Sequence, residues 1–188
     1  MKKHRFKLVL IFVAAGIVGF YFLNPSGTAT WDPRARMLGI TTFHIASMSM
    51  APTLVKGDFI VVQASAYASK SPKSGELIVF RFPRNRAVSF VSRVAGGPGD
   101  KLSIKDGKVY LNGGFIREPY LDARPPVESF SLAMDEITIP AEYLFVLGDN
   151  RDNSNDSRFW GLLPIDDVIG KVVYIWMAEN AERVGEIH

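Results

Sequence analysis

The chain has 188 residues, 47% apolar and 22% charged, a balance that excludes disorder and supports one full hydrophobic core with a short appendage. Cysteine is absent, which excludes disulfides, thiolate metal sites and a thiol nucleophile. Two of the three histidines (His4, His44, His188) sit near the termini, so no multi-histidine metal centre and no cofactor are expected. The net charge of +3 is local: Lys2, Lys3, Arg5 and Lys7 open the chain, and the remainder, with 18 basic and 19 acidic side chains, lacks the footprint of a nucleic-acid binder.

Residues 8–23, LVLIFVAAGIVGFYFL, carry no charge. As a helix they span about 24 Å, short of a hydrocarbon core of roughly 30 Å. Phe6 extends the apolar length, and Lys7 can snorkel toward the head groups. Tyr21 and Phe22 suit an interfacial belt, and Asn24-Pro25-Ser26-Gly27 ends the helix. The basic flank stays in the cytoplasm. The expected organisation is therefore a cytoplasmic tip (1–7), a single transmembrane anchor (8–23), a linker (24–37) and an exported β-rich domain (38–188). A cleaved secretory signal would share the basic start and apolar stretch, but GTAT at 27–30 is a poor small-x-small cleavage site.

Beyond the linker, helical periodicity is scarce. Strands are predicted over 38–46, 58–63, 76–82, 87–95, 137–147 and 168–177, all rich in β-branched and aromatic residues. Asp106-Gly107 between LSIK and KVYL predicts a hairpin, and Asn112-Gly113 offers a second turn. Lys70–Gly75 and Asp122–Glu128 read as loops. The fold class is mainly β, a partly open antiparallel barrel or two packed sheets.

Three segments carry candidate chemistry. In SMSMAPTL (47–54), strand alternation would send Ser47 and Ser49 to one side, one hydroxyl to attack and the other to donate to an oxyanion. Alone, the same residues fit a strand end whose serines bond local backbone. SRVAGGPGDKL (92–102) reads by itself as a structural turn, since it lacks the strand–helix setting of a phosphate loop. GDNRDNSNDSRFWG (148–161) is dense in aspartate and asparagine like a calcium loop. However, Arg151 and Arg158 favour internal pairing with aspartate, and no glutamate closes the segment at the twelfth position.

Together with the apolar N-terminus, the GDFIVV stretch and DGKVYLNG, these segments resemble the type I signal peptidases, membrane-anchored serine endopeptidases that remove signal peptides from exported proteins. The resemblance implies a β-rich catalytic domain on the outer face of the cell membrane, using a Ser–Lys dyad and no metal. It makes Ser49 the nucleophile, with the Ser47 hydroxyl and the Ser49 backbone N–H forming the oxyanion hole. Ser154 corresponds to the residue that positions the general base. Asp156 and Arg158 correspond to a supporting pair, Asp149 and Arg93 fall in other characteristic positions, and Met50 and Pro52 match positions that shape the nucleophile turn. The substrate implied is an extended preprotein signal peptide with small residues at the first and third positions before the cut. It would pair with strand edges near 43–47 and 88–91, with Phe43, Ile45, Val88 and Phe90 lining shallow pockets or, equally, packing in the core. Membrane lipid is the other partner implied, and Phe80, Phe82 and Trp160 either dip into head groups or belong to the core. The oligomeric state is left open.

The chain departs from that pattern where it matters most. The family's base lysine immediately precedes the arginine of the second segment, and here that position is Ser92. A serine cannot replace a lysine whose amine is neutralised by desolvation. His44 lies an odd number of residues before Ser49, which on a strand points it to the opposite face. Lys101 is expected in solvent, and Lys56, Lys70, Lys73, Lys105, Lys108 and Lys171 show no sign of burial. A lesser departure is Ala46, where the family commonly has proline. Ser92 is open to three explanations: a deliberate disabling substitution, a natural homologue with weak or lost activity, or a base supplied by another lysine or a water. The alternatives to general signal-peptide processing are a conjugation or pilin-processing peptidase of the same clan, and a non-catalytic homologue acting as a binding or assembly factor.

Overall fold

The structure is a computed structural model that describes residues 2–121 and 127–187. Helix α1 (Lys2–Leu23) presents its apolar side chains outward, among them Phe12 and Leu23. The helix expected over 8–23 thus forms. Among the described residues, no helix is long and apolar enough to cross a membrane.

The segment predicted as a linker is folded onto the domain. Ser26, Thr28, Ala35 and Arg36 are buried, and the Thr28 hydroxyl donates to the Ile169 carbonyl at 2.8 Å. Arg36 Nε donates to the Tyr21 carbonyl at 3.1 Å, and its guanidinium lies over the Trp31 ring at 4.5 Å, tying the end of α1 to the domain.

Twelve strands follow among the described residues: β1 (Ile40–His44), β2 (Phe59–Gln63), β3 (Leu77–Phe82), β4 (Asn85–Gly96), β5 (Lys101–Lys105), β6 (Lys108–Leu111), β7 (Gly114–Phe115), β8 (Met134–Thr138), β9 (Tyr143–Leu147), β10 (Leu163–Pro164), β11 (Val168–Met177) and β12 (Gly185–Glu186). They form two antiparallel sheets. The larger has the order β1-β2-β11-β3-β4-β9-β10 with β12 added on β11, and the smaller has the order β7-β6-β5-β8. Neither closes into a barrel.

Asp106 and Gly107, both at positive φ, link β5 to β6, and Asn112-Gly113 does the same between β6 and β7. The left-handed backbone of such tight turns is what Asx-Gly pairs tolerate. In the GGPGD turn, Asp100 accepts from the Gly97 N–H at 2.9 Å and the Asp100 N–H returns to the Gly97 carbonyl at 3.1 Å. This is the structural turn expected, and it carries the chain from the larger sheet to the smaller.

Two predicted strands differ. The strand over 38–46 is shorter, because the chain leaves β2 after His44. The stretch 137–147 is two strands in different sheets: Pro140, which lacks an N–H for a ladder, and Glu142 at positive φ break it into β8 and β9. Of the loop predicted at Asp122–Glu128, residues 122–126 lie outside the described residues. Phe80 and Trp160 are core residues, packed at 5.9 Å with Leu144 and Leu163, while Phe82 stacks on Phe90 at 4.6 Å.

Two features of the larger sheet position the site. Among the described residues, β1 pairs only with β2, and β4 pairs with β9 only from Arg93 onward, so residues 85–92 leave one side of β4 open. Although β1 and β4 stand four places apart in the sheet, the sheet curves enough for both to border one cleft.

Candidate active site

After His44 the chain enters a closed loop. The Ile45 N–H donates to the Asp58 carbonyl at 2.8 Å and the Gly57 N–H to the Ile45 carbonyl at 2.9 Å. Within it, Ala51 N–H reaches the Met48 carbonyl and Leu54 N–H the Met50 carbonyl. Met50 and Leu54 are fully buried and pin the turn downward, which leaves Ser49 half-buried and Ser47 exposed above. The two hydroxyl oxygens are 3.1 Å apart. Strand alternation therefore does not bring these serines together; a turn does.

The segment 148–161 wraps this turn. Asn150 holds it twice, its backbone N–H donating to the Ser49 carbonyl at 3.0 Å and its Nδ2 to the Met48 carbonyl at 3.1 Å. Asp149 makes a bidentate pair with Arg93, at 2.9 and 2.7 Å, and accepts from the Thr53 hydroxyl at 2.5 Å. The Arg93 guanidinium also lies 3.6 Å from the centre of the Tyr120 ring. Burial, together with the Glu118 charge, pushes the Tyr120 phenol up, so it remains a donor to Glu118 at 2.8 Å.

Asp156, fully buried, caps the helical turn α3 (Ser157–Trp160) and accepts from Gly148 N–H at 3.0 Å and from Arg158 at 2.8 and 2.7 Å. Arg151 pairs outside the segment, with Glu118. Asp152 accepts from the Val127 and Glu128 backbone N–H groups. The carboxylates of the segment are thus engaged by protein donors, as the interleaved arginines predicted for Asp156, whereas Arg151 finds a partner the sequence did not reveal.

These elements border a cleft of about 760 Å³. It brings together Ser47, Ser49, Ser92 and Ser154 with Phe43, Ile45, Val88 and Phe90. Ser92 is buried, and its hydroxyl donates to the neighbouring Val91 carbonyl at 2.8 Å. Among the described residues, no lysine lines the cleft. Lys171 is paired with Glu76 at 2.8 Å. His44 borders the cleft rather than facing away, because the turn breaks the alternation, but its ring rests on Phe59 at 4.7 Å. Sequence reasoning did not single out Thr53, Glu118 or Tyr120, nor, within the quoted segment, Gly148 and Asn150.

The family described as "Signal peptidase, peptidase S26" matches residues 7–177. The chain belongs to this signal peptidase family. Signal peptidase I of Pseudomonas aeruginosa is 31% identical over 204 aligned residues, covering 79% of this chain and 72% of that protein. Signal peptidase I of Leptolyngbya laminosa is 35% identical over 162, covering 80% and 76%. A solved signal peptidase I from Enterococcus faecalis is 32% identical, covering 54% of this chain and 97% of that one, with a TM-score of 0.47. Signal peptidase I function, the serine-endopeptidase removal of signal peptides from preproteins, follows from membership of the signal peptidase family.

Proposed function

We propose that Ser49 is the nucleophile of this signal peptidase and that Ser92 stands where its general base belongs, so that the chain binds a signal peptide and cleaves it slowly. The observation that carries this reading is the pair of hydroxyls 3.1 Å apart, on a turn that opens into a cleft also lined by Ser92 and Ser154 and by no described lysine.

In this reading the peptide lies extended between the open edges of β1 and β4 and adds a strand. Phe43, Ile45, Val88 and Phe90 form apolar pockets that accept alanine at the first and third positions before the cut. Ser49 Oγ attacks the scissile carbonyl, while the Ser47 hydroxyl and the Ser49 N–H donate to the developing oxyanion. The Oγ proton needs an acceptor. General-base assistance is worth about 10²–10⁴-fold, and a serine at position 92 supplies none. Ser154 would orient an amine placed there. The Asp149–Arg93 and Asp156–Arg158 pairs act at a distance, holding β4 and the 148–161 segment against the nucleophile turn.

We further propose that α1 anchors the domain in the cell membrane with its basic end in the cytoplasm, leaving the β-rich domain on the outer face. The exposed apolar side chains of α1, the basic residues before it and the Arg36 clamp at its far end support this. Anchoring enzyme and preprotein in one bilayer raises their effective concentration.

The test compares the parent, Ser92→Lys and Ser49→Ala/Ser92→Lys on a preprotein with an Ala-x-Ala site. Rapid cleavage by Ser92→Lys alone is expected. Equal cleavage with and without Ser49 would overturn the nucleophile. Peptide binding with no cleavage by any variant would favour a non-catalytic binding factor.

A further inference from the structure

The chain continues past the residues matched by the family. After β11 it makes a short helical turn, Ala181–Arg183, and returns as β12 along β11, with Tyr174 opposite Glu186 and Ile175 opposite Gly185. This return brings Arg183 against the outside of the nucleophile turn. Its Nη2 donates to the Thr53 carbonyl at 3.0 Å and its Nη1 to the Pro52 carbonyl at 3.2 Å. The same Nη2 pairs with Asp58 Oδ2 at 2.8 Å.

Asp58 is itself part of the loop. Its side chain is 1% exposed, its Oδ2 accepts from the Val55 N–H at 2.9 Å, and its backbone closes the loop through Ile45 and Val55. One planar guanidinium therefore spans two adjacent carbonyls and the buried carboxylate that caps the same turn. The acceptors are met from two different nitrogens of one planar fork, a spread that a lysine ammonium, with all its donors on a single nitrogen, does not reproduce. Thr53 is gripped from two directions, its hydroxyl by Asp149 and its carbonyl by Arg183.

We propose that Arg183 is a positioning residue for Ser49: from outside the cleft it fixes the turn that sets the height and direction of the nucleophile. The proposal rests on the reading of Ser49 given above. It predicts a residue that touches no substrate yet changes turnover, because small displacements of an attacking oxygen carry large rate penalties.

The experiment uses the full chain in detergent micelles and has two readouts. The first is amide hydrogen exchange. Arg183→Ala should raise exchange at Ala51, Leu54 and Asp58 by about tenfold or more while leaving β9 amides unchanged, since a local clamp controls local opening. The second is kinetic, in the Ser92→Lys background. Arg183→Ala should lower kcat at unchanged KM, added guanidinium ion should restore part of it, and Arg183→Lys should recover little. Unchanged exchange in the turn would overturn the proposal, as would exchange rising equally across the domain, which marks a general structural role. If Ser92→Lys fails to cleave with Arg183 intact, the nucleophile reading falls and takes the catalytic half of this proposal with it. Exchange then still decides whether Arg183 holds the turn.

Discussion

Gly148 leaves no room for a side chain beside Ser154: a Cβ there would lie 2.2 Å from Ser154 Oγ and 2.6 Å from the Ser49 carbonyl oxygen. Rotation can move the Ser154 hydroxyl, but Ser154 Cβ, 2.5 Å away, is fixed to its backbone. The Ser49 carbonyl is itself backbone, held by Asn150. We predict that Gly148→Ala costs about 1–3 kcal/mol by overpacking and weakens binding of an uncleaved Ala-x-Ala peptide. Thermal denaturation and fluorescence titration check both; an unchanged melting temperature would show that the turn yields.

Asp149 and Arg93 are both almost fully buried, so removing one charge strands the other. Asp149→Asn should cost about 3–5 kcal/mol in urea denaturation. Arg34→Ala, which breaks an ion pair whose arginine is 59% exposed, should cost less than about 1 kcal/mol. Similar losses for the two variants would refute the assignment of burial as the deciding factor.

Ser92 is 3% exposed and, among the described residues, its hydroxyl bonds its neighbour's carbonyl alone. A lysine introduced there is desolvated, which disfavours the ammonium and lowers its pKa below the usual ~10.4. Cleavage by Ser92→Lys should therefore rise with pH and level off before that value. A rate still climbing in step with hydroxide beyond pH 10.4 would mean the amine is not the base.

The Arg34 side chain, which outweighs the opposing effect of burial and is helped by the Thr41 hydroxyl, holds the Asp32 carboxyl down to about 2. Because the folded pKa lies below the unfolded one, the contribution is present above about pH 4 and is lost as pH falls through 2. Solvent screening limits it to about 1 kcal/mol or less. Asp32→Asn should remove the step between about pH 4 and 2 from an acid-stability profile and lower stability at neutral pH by the same ~1 kcal/mol or less, with no effect below about pH 2; an unaltered profile would count against it.

The sequence made the hairpin turns legible because Asx-Gly pairs report a local backbone demand, and both form where expected. It also brought Ser47, Ser49, Ser92 and Ser154 together, through a motif resemblance rather than through periodicity. Periodicity misplaced His44 and the reason Ser47 meets Ser49, since alternation holds only while the backbone stays extended. Glu118, Tyr120 and Arg183 were invisible because their partners lie 33, 27 and 130 residues away, and no local pattern announces a long-range ion pair or stacked ring. The 137–147 stretch shows the same limit: its composition spells strand throughout, and only Pro140 marks the jump between sheets.

The proposed docking of a peptide between the open edges of β1 and β4 places a demand on that peptide's length. A strand advances about 3.3 Å per residue and a helix about 1.5 Å. Six residues drawn out of a helix to dock there reach roughly 20 Å instead of about 9 Å. In the reading proposed above, unwinding alone would let the tail of a membrane-held signal peptide climb about 10 Å to the serine turn while the rest of that segment kept its original depth.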